Sequence, residues 1–314
     1  MDAARVAERF GLGGDPHLSD APVARGRMGE VWRLDTGDGS WAVKVPLDPV
    51  DEDEVAPSAR FQEAAYDAGV PTPPVVRTVE GDVFADLGPQ AVRVYGWVDL
   101  LAPDPMLDPE TVGRVVAAIH GVDVQTCAPA DAWYRDPVGA AVWDEVVTSL
   151  RRAGAPFADR LADLRDELVA LESWLADPAT LRACHRDLWA DNLLPTAGGG
   201  VCVVDWENSG AADPGQELAC VLFEFGRTDP ERARALATAY RDAGGPGEVR
   251  EREDFTMLIA QLGHIVEVAA RDWLQPNRRS PDRGTAAAWI AETLDDPHTQ
   301  HRLDALLDAV RGSA

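Results

Sequence analysis

The sequence predicts an α+β protein in which the strands come first and the helices follow. Between residues 24 and 98 the apolar residues fall in short, β-branched, alternating runs broken by glycine and proline. From residue 110 onward they recur at helical spacing, as Val112, Val115, Val116 and Ile119 do. A chain of 314 residues is long enough for two lobes. The change of period divides it into a small antiparallel β-sheet lobe with one main helix, 1–98, and a mostly helical lobe, 99–314.

Residues 1 to about 20 read as a short amphipathic helix and a break at Gly11, Gly13 and Gly14. Residues 24–34 read as a hairpin whose turn carries Gly26 and Gly29. Glycines there let the backbone approach phosphates closely, and an ordinary β-turn uses them equally well. After a turn at 35–40, residues 41–46 form a buried strand that carries Lys44 beside Ala42. A lysine on an apolar strand is costly unless paired. The expected partner is Glu63, on a helix at 60–66, while Glu52 and Glu54 fall in an acidic segment expected to be a solvated loop. Pro71, Pro73 and Pro74 end the helix. Strands follow at 75–79 and 90–98, and the second closes the small lobe as a hinge. Its Tyr95 and Trp97 suit either core packing or the edge of a bound purine, with Ala42 and Leu194 on the purine faces.

Helices are predicted at 110–122, 138–153, 156–176, 217–226, 231–243 and 255–273, with helix-like runs to Val310. His120 reads as a packed histidine, and Asp213 as a helix cap.

Two stretches carry the chemistry. His185-Arg186-Asp187-Leu188-Trp189-Ala190-Asp191-Asn192 reads H-R-D-L-x-x-x-N, the catalytic-loop pattern of kinase-like phosphotransferases, and Val203-Val204-Asp205-Trp206-Glu207 follows it. Phosphoryl transfer needs a carboxylate to orient the attacking hydroxyl and oxygen ligands for the Mg2+ that accompanies the phosphates. Asp187 suits the first task, Asn192 and Asp205 the second. A turn at Gly198-Gly199-Gly200 folds the segment into a hairpin that sets Asn192 beside Asp205.

With Asp205-Trp206-Glu207, Asp213-Pro214 and Glu217-Leu218-Ala219 added, most of residues 20–275 resembles the aminoglycoside phosphotransferase family, the small-molecule branch of the two-lobed protein-kinase-like fold that also holds choline kinases. The resemblance implies transfer of the γ-phosphate of ATP or GTP to the hydroxyl of a small molecule. It implies Asp187 as base, Asn192 and Asp205 as Mg2+ ligands, and Lys44 with Glu63 as the phosphate-orienting pair. Glu217 stands where the family usually has Asp, and Ala190-Asp191 where it has Pro-Gly. A protein Ser/Thr kinase is the nearest alternative. Against it, Asp205-Trp206-Glu207 replaces D-F-G, and an apolar helix occupies the place of an activation loop. A catalytically silent nucleotide-binding module is the other alternative. Against it, Lys44, Asp187, Asn192 and Asp205 are all present.

The net charge of −25 excludes nucleic acid and anionic membranes as partners. It serves solubility or attracts a cationic acceptor. In the second case Asp191 with His264, Glu267 and Asp272 of the 255–273 helix would form an acidic mouth for an amine-bearing alcohol; otherwise the helix shows water a face with an internal ion pair. Four scattered cysteines and no long apolar run point to a cytoplasmic protein with reduced thiols. His298 and His301 are expected in a solvated tail.

Overall fold

The computed structural model describes residues 1–26, 29–47, 52–88, 91–126, 129–276 and 283–311, with the side chains of 52–54 outside the description. The chain forms two compact units. The first takes 1–104, 122–124 and 191–209; the second takes 105–121, 125–190 and 210–314. The expected division at residue 98 is a single cut, whereas the first unit also gathers a later segment.

The first unit begins with α1, Ala3–Phe10, capped by the Asp2 side chain and ended by left-handed Gly11. Strands β1 (His17–Leu18), β2 (Ala24–Arg25), β3 (Gly29–Thr36) and β4 (Gly39–Pro46) precede α2 (Glu52–Asp67). Strands β5 (Val75–Val76), β6 (Ala85–Asp86) and β7 (Ala91–Gly96) complete an antiparallel sheet of order β1-β3-β4-β7-β5, with β2 on β3 and β6 on β7. Alternation decides what each face carries. Val43 and Val45 point into a core with Val6, Phe10, Leu34, Val92 and Val94. Ala42 and Lys44 take the other face, opposite Tyr95 and Arg93 of β7.

Helix α2 is longer than expected: the acidic segment read as a loop is its first turn and a half. Pro57 lies inside it and removes one i→i−4 hydrogen bond. Buried Val55 and Ala59, packed with Val83, hold the helix despite that cost. The 75–79 strand is shorter than expected, at two residues, and Gln90, Arg27, Met28 and Cys127 lie outside the described residues. The late segment is a hairpin, Leu193–Pro195 with Val201–Val203. It is tied down by Val203 N–H to the Pro71 carbonyl (2.7 Å) and Leu101 N–H to the Pro195 carbonyl (2.8 Å).

The second unit is helical: α3 (Pro109–His120), α4 (Ala140–Ala153), α5 (Ala158–Leu171), α6 (Pro214–Gly226), α7 (Pro230–Asp242), α8 (Thr256–Leu274), α9 (Arg283–Asp295) and α10 (Gln300–Arg311). Asp213 caps α6 as expected, accepting from Gly215 N–H. Two features were not foreseen. One is a two-strand ribbon, Arg182–Cys184 with Gly210–Ala212; the other is a one-turn helix, Ala132–Tyr134. Both are too short to show a period. No described helix is long and apolar enough to cross a membrane. Cys184, Cys202 and Cys220 are free and buried.

His298 overturns the expectation of a solvated tail. It is 1% exposed, and among the described residues neither ring nitrogen has a hydrogen-bond partner. Burial alone lowers its pKa to about 4. A histidine that is easier to protonate unfolded makes stability fall with pH, starting at its unfolded pKa of about 6.5 and ending near its folded one. The loss amounts to about 3 kcal/mol over that window, from the pKa difference at about 1.4 kcal/mol per unit. Urea unfolding across pH 7.5 to 4 checks it: His298→Leu should remove most of this slope, and a wild-type slope in the variant would show that His298 does not contribute.

Candidate active site

In the first unit, Lys44 is nearly buried and lies between two carboxylates, with Nζ 2.6 Å from Asp205 Oδ1 and 2.7 Å from Glu207 Oε1. Arg93, directly across the ladder from Lys44, joins the group by donating to Glu207. Burial works against the Lys44 charge, yet Glu207 and Asp205 raise its pKa above the ordinary lysine value. Burial likewise opposes ionisation of Glu207, and the Lys44 and Arg93 charges hold it below the carboxylate range. Asp205 goes the other way: desolvation and the Glu207 charge push it up to about 8.

Glu63 is not the partner of Lys44. Its carboxylate takes a two-toothed pair of hydrogen bonds from Arg77, at 2.7 and 2.8 Å. The planar guanidinium matches both oxygens at once, which an ammonium does not. The Asp205-Trp206-Glu207 turn supplies the lysine's carboxylates instead. It is anchored by Trp206, whose ring packs edge-on against Phe61 of α2 (5.2 Å between centroids) and whose Nε1–H donates to Thr72 Oγ1 (2.9 Å).

The hairpin joins the two expected metal ligands as predicted. Val203 pairs with Leu193, and Val204 N–H donates to the Asn192 carbonyl (2.9 Å), so Asp205 begins one residue past Asn192's partner. Asp205 is left-handed at φ +60°, an unfavourable backbone for a non-glycine residue. An amide oxygen and a carboxylate are hard donors, and this set fits a hard divalent cation such as Mg2+.

The remaining small-unit expectations divide. Gly29 is required for packing: a Cβ there would meet the Val45 carbonyl at 2.7 Å. Around Gly26 there is open space. The Trp97 N–H, expected to face a purine, already donates to the Ser40 carbonyl at 3.2 Å. Tyr95 is in mid-sheet, between Ala42 and Val75, so its backbone forms no hinge edge. The chain leaves the sheet only after Gly96. Leu194 is buried in the hairpin.

In the second unit, Asp187 follows a residue in a strained conformation, Arg186 at φ +64°. Glu217, 1% exposed, accepts the backbone N–H of His185 (3.1 Å) and of Arg186. It also accepts from His120 Nε2 (2.7 Å), while His120 Nδ1 meets Tyr240 Oη at 2.8 Å. Tyr240 Oη accepts Gly247 N–H, so its own hydrogen is available to Nδ1 and the Nε2–H of His120 points at Glu217. Burial opposes the charge on Glu217, and these donors hold its pKa below the ordinary value. His120, Cys184 and Glu217 are close enough to suggest a metal site. Burial pushes the Cys184 thiol far up, however, so it stays protonated, and Glu217 is already filled by N–H donors. The group supports the loop.

On α8 itself the acidic residues expected at the mouth do not gather into a pair. Glu267 forms the internal pair with Arg271, and Asp272 is 5% exposed. Asp272 lies three turns, about 16 Å, along α8 from Gln261, the residue that touches Asp187. His264 is stacked on Trp133 (5.1 Å) and bonded to the Asp136 carbonyl (3.0 Å). Asp191 is exposed. Sequence reasoning gave no role to Arg93 or to Arg77, the partner of Glu63, and read Gln261 only as one of the polar residues of the 255–273 helix. Arg93 carried a readable signal, a lone charge in an apolar strand.

A family model described as the phosphotransferase enzyme family matches residues 21–255. Among curated protein sequences no relative matches. Solved structures do. Spectinomycin phosphotransferase in complex with ADP and spectinomycin has a TM-score of 0.68 at 13% identity, covering 98% of this chain and 97% of that one. Amicoumacin kinase with AMP-PNP and Ca2+ has 0.64 at 13%, covering 96% and 95%. A choline/ethanolamine kinase family protein from Mesorhizobium loti has 0.57 at 21%, covering 97% of each chain. At these identities the likeness is one of fold, and it matches the α+β architecture expected from the sequence.

The buried Glu217 network generates a stability prediction. Glu217→Ala strands His120 and two backbone N–H groups in a dry interior and should cost about 3–5 kcal/mol. Denaturant unfolding reads this directly, and a loss below about 1 kcal/mol would show the network to be marginal.

Proposed function

The chain belongs to the phosphotransferase enzyme family and is a small-molecule kinase, and within that family we propose that it moves the γ-phosphate of ATP to the hydroxyl of a small amine-bearing alcohol. The observation that carries this reading is the nearly buried Lys44 held between Asp205 and Glu207, which follow the hairpin that presents Asn192. A buried lysine ringed by carboxylates is expensive as mere structure. As part of a phosphate site it is useful, because phosphate oxygens compete for the same ammonium.

In this reading Asp187 orients the acceptor hydroxyl and takes its proton as the new oxygen–phosphorus bond forms. The bond from the γ-phosphorus to the β–γ bridging oxygen breaks, and ADP leaves with that electron pair. Lys44 exchanges a carboxylate for phosphate oxygens and holds them in line. A divalent cation held by Asn192 and Asp205 supplies neutralisation of phosphate charge when bound. GTP carries the same phosphates and is an equivalent donor for these groups. The amine-bearing acceptor is supported by the net charge and by the spectinomycin and choline/ethanolamine chemistry of the structural neighbours. No acidic pair on α8 supports it.

Two measurements test the proposal. ADP formation should rise over the no-acceptor rate with at least one of spectinomycin, choline and ethanolamine; a flat response to a broad panel of amino alcohols and neutral alcohols would refute the acceptor class. On the best acceptor, Asp187→Asn should lower turnover at least about 100-fold with nucleotide binding kept, as loss of a general base does. Asp205→Ala should abolish it at ordinary Mg2+.

The partner of Lys44 gives a separate expectation. Glu207→Gln should change ATP affinity by about fivefold or more, on the order of 1 kcal/mol for a charged partner. Glu63→Ala, which releases Arg77 and leaves Lys44 alone, should change it less than twofold. Titration calorimetry with AMP-PNP checks the order, and the reverse order would restore Glu63 as the lysine's partner.

A further inference from the structure

The Asp187 loop is held from a second side, by a residue that none of the motifs contains. Gln261 of α8 is 3% exposed. Its Nε2 lies 3.3 Å from the Arg186 carbonyl and 3.4 Å from Asp187 Oδ1. Both neighbours are acceptors only, so the amide must turn its NH2 toward them, with one hydrogen for each. The alternative orientation would set the amide oxygen against a carboxylate and a carbonyl.

The position of this amide matters because of the backbone it meets. Arg186 is left-handed at φ +64°, a conformation that costs on the order of 1–3 kcal/mol and persists only when its surroundings over-determine it. Its N–H is taken by Glu217 from α6. Its guanidinium lies 4.5 Å over the Tyr134 ring and against Gly210, where a Cβ would approach it to 2.7 Å. Gln261 takes its carbonyl. Arg186, the residue that aims Asp187, is therefore gripped at its N–H, its side chain and its C=O, and the third grip is the one that also reaches the carboxylate.

We propose that Gln261 is a positioning residue for the Asp187 base: one amide N–H fixes the preceding peptide, and the other orients the carboxylate and favours its ionised form. This rests on the assignment of Asp187 as base. Long hydrogen bonds of this kind commonly tighten when the substrates are bound. A glutamine suits the task because it donates without adding charge; a lysine there would draw the proton-accepting carboxylate into an ion pair and blunt it.

The test uses ATP with water as acceptor, and with whichever of spectinomycin, choline and ethanolamine is turned over. Gln261→Met keeps length and apolar bulk and removes both donors. It should lower kcat about 10- to 100-fold, less than the roughly 100- to 1000-fold seen when a donor that touches the reacting centre itself is lost. The KM values for ATP and acceptor should stay within about twofold. The acid limb of the kcat profile should also move up by about half a unit to one unit, because a carboxylate that loses a donor protonates more easily. His120, Tyr134, His185, Arg186, Asp191, Glu217 and Glu224, ionisable groups at the loop or bonded to it, are unaltered in the variant, so a moved limb reports on Asp187. Gln261→Glu, similar in shape but repelling the base, should move the limb further, and it serves if Gln261→Met fails to fold. Full kcat with an unmoved limb in a folded variant would reduce Gln261 to packing. Asp187→Asn measured alongside separates the two levels. If it is inactive while Gln261→Met is fully active, only the present inference fails; if it is active, the base assignment fails first.

Discussion

The buried carboxylate of Glu217 is the constraint from which the loop geometry follows. A charge with 1% exposure is stable only if donors surround it, and here they come from His120 and from the backbone of His185 and Arg186. The two backbone donors cannot both reach it unless the chain turns sharply, and Arg186 accepts the left-handed conformation as the cost. Asp187 is thereby aimed by a strain that the helices hold in place. His120 completes the donors to the Glu217 carboxylate, and Tyr240 holds His120 from its other ring nitrogen.

The first unit solves a related problem by the opposite means. Its charges are gathered into one half-buried cluster, Lys44 and Arg93 against Glu207 and an Asp205 whose ionisation is disfavoured. Such a cluster adds little net stability, since desolvation offsets much of the attraction. It does keep a lysine charged in a dry place, ready for another anion. The Arg77–Glu63 pair leaves α2 out of this arrangement, and the carboxylate beside the lysine comes from the turn after the hairpin.

The fold was legible because periods are local. Strand alternation at 41–46 set Lys44 on the face opposite Val43 and Val45, and helical spacing marked α3, α6 and α8. The hairpin was legible because the spacing of Asn192 and Asp205 around a glycine turn determines their pairing along the chain. Two-residue strands and one-turn helices show no period, and α2 outran its signal because burial of Val55 and Ala59 outweighed Pro57.

By itself, then, the sequence determined the layout of the two structural classes, the family, and that Asn192 and Asp205 are neighbours along a hairpin. Only the tertiary structure decided partners. Glu63 and Glu207 are both acidic residues within reach of an expected lysine, and Gln261, Glu267 and Asp272 are all polar interruptions of one helix. Which of them meets a charge depends on what packs opposite, at separations of tens to hundreds of residues. Pairing energy falls off within a few ångströms, and no local pattern encodes distances of that kind.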